Sequence, residues 1–166
     1  MNATRAGSAP GLLLPSLSEA LSVAEQWEHS PGERRMVAGL LRWLVGAGWL
    51  GSASRAAFEV PWRGRRIDLV TITGRGQLSA FEFKLGGTRR VFEQAIYNSG
   101  SAHRSYVVSG AHPRSAYREL ARSQGLGIFV VNGKVELLQR PAAKQPQTEL
   151  SRALRHQARM HSGPNV

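Results

Sequence analysis

The sequence predicts a mixed α/β domain, with a central sheet of mixed strand direction flanked by helices. Three observations lead there. A capped amphipathic helix near residues 30–45 precedes three strand-like runs divided by short Gly/Arg turns. A second helix then leads into two short apolar runs with a helical stretch between them, the pattern of a βαβ unit. A last run follows an Asn-Gly pair, the strongest short hairpin signal. The order is αβββαβ plus a further helix and a C-terminal β-hairpin.

Taken in order, Leu17, Leu21, Ala24 and Trp27 fall at helical spacing and predict one short helix within 15–29. Residues 1–29 are thereby set apart as an appended N-terminal segment. Its start is expected to be flexible, with Leu12 to Leu14 too weakly apolar for a signal peptide. Ser30, Pro31 and Glu33 supply an N-cap, a proline at the first helical position and a capping-box acid. The helix runs to about residue 45, with Met36, Val37, Leu40, Leu41, Leu44 and Val45 as one buried stripe. Runs at 55–61, 66–73 and 77–85 are joined at Gly64 and at Gly74-Arg75-Gly76, which makes an antiparallel meander. Thr88 caps a helix to about residue 98. Strands are expected at 105–109 and 126–131, a helix at 113–123, and a final strand at 134–138. Residues 30–140 form the main domain. Residues 141–166 make a basic tail with Arg152, Arg155 and Arg159, for which helix and disorder both stay open.

Composition bounds the function classes. The 166 residues, 42% hydrophobic with four Trp, suffice for one core and are cramped for two. The lack of Cys excludes disulfides and thiolate metal sites and fits a reducing compartment, so a cytoplasmic location is expected. No apolar run approaches the ~20 residues that cross a bilayer, so no membrane association is expected. The formal charge is +11, and from Glu33 onward 21 basic residues face 8 acidic ones. That is the electrostatic footprint of a polyanion partner, nucleic acid first. Arg outnumbers Lys 19 to 3, which suits bidentate phosphate contact; a preference for Arg codons explains the bias as well.

The chemistry gathers around Asp68, the only aspartate. It lies in an apolar strand, where alternation puts Asp68, Val70 and Ile72 on the face opposite Ile67, Leu69 and Thr71. In the next strand Phe81, Phe83 and Leu85 are expected against the core, leaving Glu82 and Lys84 on the other face. Pairing through Gly74-Arg75-Gly76 sets Asp68 beside Glu82. Two carboxylates about 4 Å apart repel by roughly 4 kcal/mol at an effective dielectric near 20. A divalent cation with hard oxygen ligands, Mg²⁺ or Mn²⁺, offsets this best. The reaction that follows is phosphodiester hydrolysis, with Lys84 positioning water or stabilising charge. A surface ion-pair network on one sheet face is the plainer account of the same three residues.

Asp68 followed by Glu82-Phe83-Lys84, framed by αβββαβ order, resembles the PD-(D/E)XK nuclease superfamily over roughly residues 33–138. The resemblance implies a restriction-endonuclease-like fold and a Mg²⁺-dependent deoxyribonuclease acting in repair, recombination or defence against foreign DNA. It implies Asp68, Glu82, Glu33 and the main-chain carbonyl of Phe83 as metal ligands, with Gln94 and Tyr97 of the second helix facing the site. Ile67 stands where the family has proline. Glu33 serves equally well as the capping-box acid of Ser30, Glu59 is its rival as third carboxylate, and Gln94 fits a plain helix surface. Arg65, Arg66, Arg89 and Arg90 border the site and are expected to contact phosphates, or else to be solvated turn charges. His103, His112, His156 and His161 show no ligand spacing and are given no catalytic role. Two rivals remain open: a catalytically weak DNA-binding or assembly subunit of the same fold, and an RNA-binding or RNA-processing module. Expected partners are DNA and either a second copy, as a homodimer, or a protein bound through the N-terminal segment.

Overall fold

Six strands form one sheet in the order of the chain. They are β1 (Arg55–Trp62), β2 (Arg65–Ile72), β3 (Leu78–Lys84), β4 (Arg104–Ser109), β5 (Gly127–Val131) and β6 (Val135–Gln139). Their helices are α1 (Leu17–Gln26), α2 (Pro31–Gly46), α3 (Arg89–Asn98), α4 (Ser115–Gln124) and α5 (Thr148–Met160). This computed structural model describes residues 16–27, 29–86 and 88–160. The flexible start expected for the first residues, and His161, lie outside them.

Local chemistry sets each junction. Trp62 pairs with Arg65 across a two-residue loop. Arg63 and Gly64 there have φ of 47° and 78°, the doubly left-handed turn that matches strand twist. The β2–β3 turn closes through Gly76, whose amide donates to the Thr73 carbonyl at 2.8 Å. β1, β2 and β3 are therefore the expected antiparallel meander. β3–β4 and β4–β5 are parallel, so α3 and α4 must cross over, and right-handed crossovers put both on one face. β6 returns antiparallel to β5, giving a mixed sheet.

The apolar residues sort to two faces. Phe58, Leu69, Phe81, Phe83, Tyr106 and Phe129 pack against α1 and α2 through Trp27, Met36, Leu40 and Leu44. On the other face Val70, Ile72, Leu78 and Ala80 meet Leu154 and Ala158 of α5, while Val107 and Ile128 meet α3 and α4. Residues 148–160, for which helix and disorder were both open, form α5; its amphipathic stripe covers the β1 edge region of the sheet.

Four local expectations need correction. Ile67, expected on the face of Leu69, packs instead with Val60, Val70 and Ile72, because the alternation breaks where Glu59 and Asp68 interrupt the β1–β2 pairing. Leu85, expected against the core, is 46% exposed, because β3 ends at Lys84 and the chain turns outward there. Thr88 stands at the N-cap of α3 without a side-chain capping bond. At Ser30 the capping-box return bond is not made: the Ser30 hydroxyl accepts from the Glu33 amide at 3.3 Å and itself donates to the Glu33 carboxylate at 3.1 Å.

Candidate active site

The register lines up three acids across neighbouring strands. Phe58 pairs with Leu69 and Val60 with Ile67, which sets Glu59 opposite Asp68. Leu69 pairs with Phe81, which sets Glu82 beside Asp68 on the other flank. Pairing between β1 and β2 skips Glu59 and Asp68 and resumes at Val60 and Ile67. Glu59 takes a left-handed φ of 48°, a strained state for a residue with a side chain. β2–β3 pairing ends at Leu69, and the Phe83 amide that would have joined the ladder donates to Asp68 Oδ2 at 2.7 Å. The sheet is therefore irregular where the acids meet.

Glu82 is the most buried acid of the three, at 1% exposure. Its Oε1 accepts from Asn98 Nδ2 of α3 at 2.6 Å, and its Oε2 has no hydrogen-bond donor. Burial, followed by the charge of Asp68, pushes the Glu82 carboxyl well above the usual carboxylate range. Burial also raises Asp68, against the lowering effect of the Phe83 amide. Two neighbouring carboxyls, both raised by burial, make ionisation of the pair costly in the absence of a nearby positive charge.

Asp68 opens into a cleft of about 350 Å³ between the N-termini of α2 and α3, at the C-terminal end of β3. Glu33, Phe83, Lys84, Arg90 and Gln94 line it with Asp68. Lys84 Nζ lies 3.6 Å from Glu33 Oε1, half exposed. It therefore leans toward α2, while Glu82 on the same strand is held by α3. Glu33 borders the cleft, engaged with Lys84, Ser30 and His29. No group of three or more His, Asp or Glu side chains among the described residues is arranged to hold a metal ion unaided.

The Arg residues divide. Arg65, Arg66, Arg90 and Gln94 share a neighbouring depression with Asp68. Arg65 also lies 4.5 Å over the Tyr97 ring, with Arg63 at 5.6 Å, so Tyr97 holds guanidinium groups beside the cleft. Arg66 is 3.6 Å from Glu59. Arg89 instead pairs with Glu93 at 2.8 Å on the outer side of α3.

Two polar residues were not singled out from the sequence. His29 places Nε2 2.8 Å from Glu59 Oε1 and packs its ring 3.8 Å from Trp27, which ties the α1–α2 junction to β1. Its position four residues before Glu33 was the available signal. Asn98 is buried at the end of α3 and orients Glu82; only tertiary packing brings it there.

No family model matches the chain, and no curated protein matches it. Two solved structures are similar. A protein of unknown function from Silicibacter pomeroyi shares 18% identity at a TM-score of 0.56, over 78% of this chain and 84% of that one. This shows a shared fold. A repair endonuclease from Pyrococcus abyssi shares 18% identity at a TM-score of 0.46, over 63% of this chain and 48% of that one.

Proposed function

We propose that the chain is a metal-dependent nuclease that hydrolyses DNA phosphodiester bonds, built on a restriction-endonuclease-like core of the PD-(D/E)XK kind. One observation carries this: two carboxyls, Asp68 and Glu82, are pressed together where the sheet is irregular, with Glu82 Oε2 left without a donor. A buried acceptor in that state is costly unless something positive meets it. The donor set of two carboxylates, the Phe83 carbonyl and open solvent space suits Mg²⁺ or Mn²⁺ better than an imidazole-seeking metal. Asp68 and Glu82 would hold the ion, with Glu33 close by on the cleft wall. The chemistry such an ion supplies is polarisation of the scissile phosphate and activation of water.

The chain's own groups account for the rest. Asn98 and the Phe83 amide hold the two carboxylates in fixed orientation. Lys84, tethered loosely to Glu33 at 3.6 Å, can transfer its ammonium to a phosphate oxygen and stabilise the charge that develops there. Arg65, Arg66 and Arg90 grip flanking phosphates beside Asp68.

The test is cleavage of duplex, single-stranded and branched DNA and of RNA with Mg²⁺, Mn²⁺ or EDTA. Asp68→Asn and Lys84→Ala should each lose at least a hundredfold in rate while DNA binding survives and weakens steeply with salt. Cutting in EDTA, or full activity in Asp68→Asn, sinks the mechanism. Binding without cutting of any substrate favours a DNA-binding subunit, and cleavage confined to RNA favours RNA processing.

A further inference from the structure

The end of the sheet opposite Asp68 carries a second concave, basic site. On the α2 face a cavity of about 220 Å³ has the cross-strand pair Thr71 and Ser79 in its lining, with Trp49 and Phe81 as aromatic walls. Arg104, at the start of β4, and Arg140, just after β6, complete it. Neither guanidinium forms an ion pair among the described residues. Arg140 lies 5.9 Å over the Trp49 ring, which fixes its direction. A broader depression of about 830 Å³ shares Trp49 and Arg104 and adds Arg75 and His103. No carboxylate lines either space, in contrast to the cleft at Asp68.

Behind the Phe81 wall of the cavity lies a buried phenol. Tyr106, 1% exposed, stacks its ring on Phe81 at 4.7 Å and has no hydrogen-bond partner for its phenol oxygen, although Arg104 stands beside it. Burial pushes this phenol up to about 12, so it stays neutral beside Arg104. Two guanidiniums without an ion-pair partner and two aliphatic hydroxyls line the cavity, a set dominated by donors. Such a set recognises an oxyanion with several acceptor oxygens.

We propose that this cavity binds a phosphate group, presented by a free nucleotide or by a nucleic-acid strand. Ser79 and Glu82 lie three residues apart on one strand, so the cavity floor stands roughly 10 Å along β3 from the proposed catalytic carboxylate. The proposal does not depend on turnover at Asp68.

Binding of inorganic phosphate, a nucleoside monophosphate and a short oligonucleotide is measured by calorimetry and Trp fluorescence at fixed low salt, on the full chain carrying Asp68→Asn. Phosphate should bind with a submillimolar Kd, and Arg104→Ala/Arg140→Ala should weaken it at least tenfold. Arg140 is exposed, so Arg140→Ala alone keeps the fold and must weaken binding severalfold. A monophosphate that binds more tightly than phosphate identifies the free nucleotide as the source. An oligonucleotide that gains where the monophosphate does not identifies a strand. Absence of phosphate binding at millimolar concentration, or equal binding by Arg140→Ala and the parent, overturns the proposal.

Discussion

Replacing Glu82 by Gln should stabilise the metal-free protein while abolishing cleavage. In the fold, burial and the neighbouring Asp68 push Glu82 up to about 9 from an ordinary 4.5. A group whose folded pKa is raised binds more protons folded than unfolded, so stability falls as pH rises between the two values. The penalty is absent below pH 4.5, grows through neutrality and is complete above pH 9. At pH 7 it amounts to about 3 kcal/mol, at 1.4 kcal/mol per unit. Gln is close to Glu in size, its carbonyl can still accept from Asn98, and its amide can donate to Asp68. The substitution should therefore raise the melting temperature in EDTA by about 6–12 °C at pH 7 and by very little at pH 5. Urea or thermal melts at pH 5, 7 and 8.5 measure this, and Mg²⁺ should stabilise the parent at pH 8.5 but not the variant. A variant no more stable than the parent at pH 8.5, or a gain that does not grow with pH, refutes the electrostatic account of the site.

Other perturbations separate packing from function. Gly127→Ala places a Cβ 2.4 Å from Tyr106 Cδ1, so it should lose about 1–3 kcal/mol in urea unfolding. Leu154→Ala empties a fully buried position under α5 and should cost about 2–5 kcal/mol; limited proteolysis should then release the C-terminal helix first. Arg90→Ala should weaken DNA binding uniformly across sequences and lower the slope of log affinity against log salt by about 1. Arg89→Ala, whose guanidinium is turned to Glu93, should change that slope less.

Some features of this chain are local, and the sequence alone determined them. Alternation from Leu69 onward in β2 and along β3 separates Leu69, Phe81 and Phe83 from Val70, Leu78 and Ala80, because a strand's side chains reverse face at each residue, while Ile67, before the irregularity at Asp68, departs from it. The Gly76 turn then pins the register that sets Asp68 beside Glu82. The α2 cap position, the βαβ order and the last hairpin are equally local. Leu85 was misjudged because alternation holds only while the strand lasts, and β3 ends one residue earlier.

Only the tertiary structure decided what surrounds those carboxyls. Asn98 reaches Glu82 because α3 packs across β3 and β4, and His29 meets Glu59 through a strained backbone that no periodicity reveals. Lys84 follows Glu33 toward α2 although its strand position places it with Glu82. The raised carboxyls of Asp68 and Glu82 have the same origin, since burial raises both groups and burial belongs to the packed sheet as a whole. Strand register is written in neighbouring residues, whereas desolvation and long-range hydrogen bonds arise only when distant elements close over them.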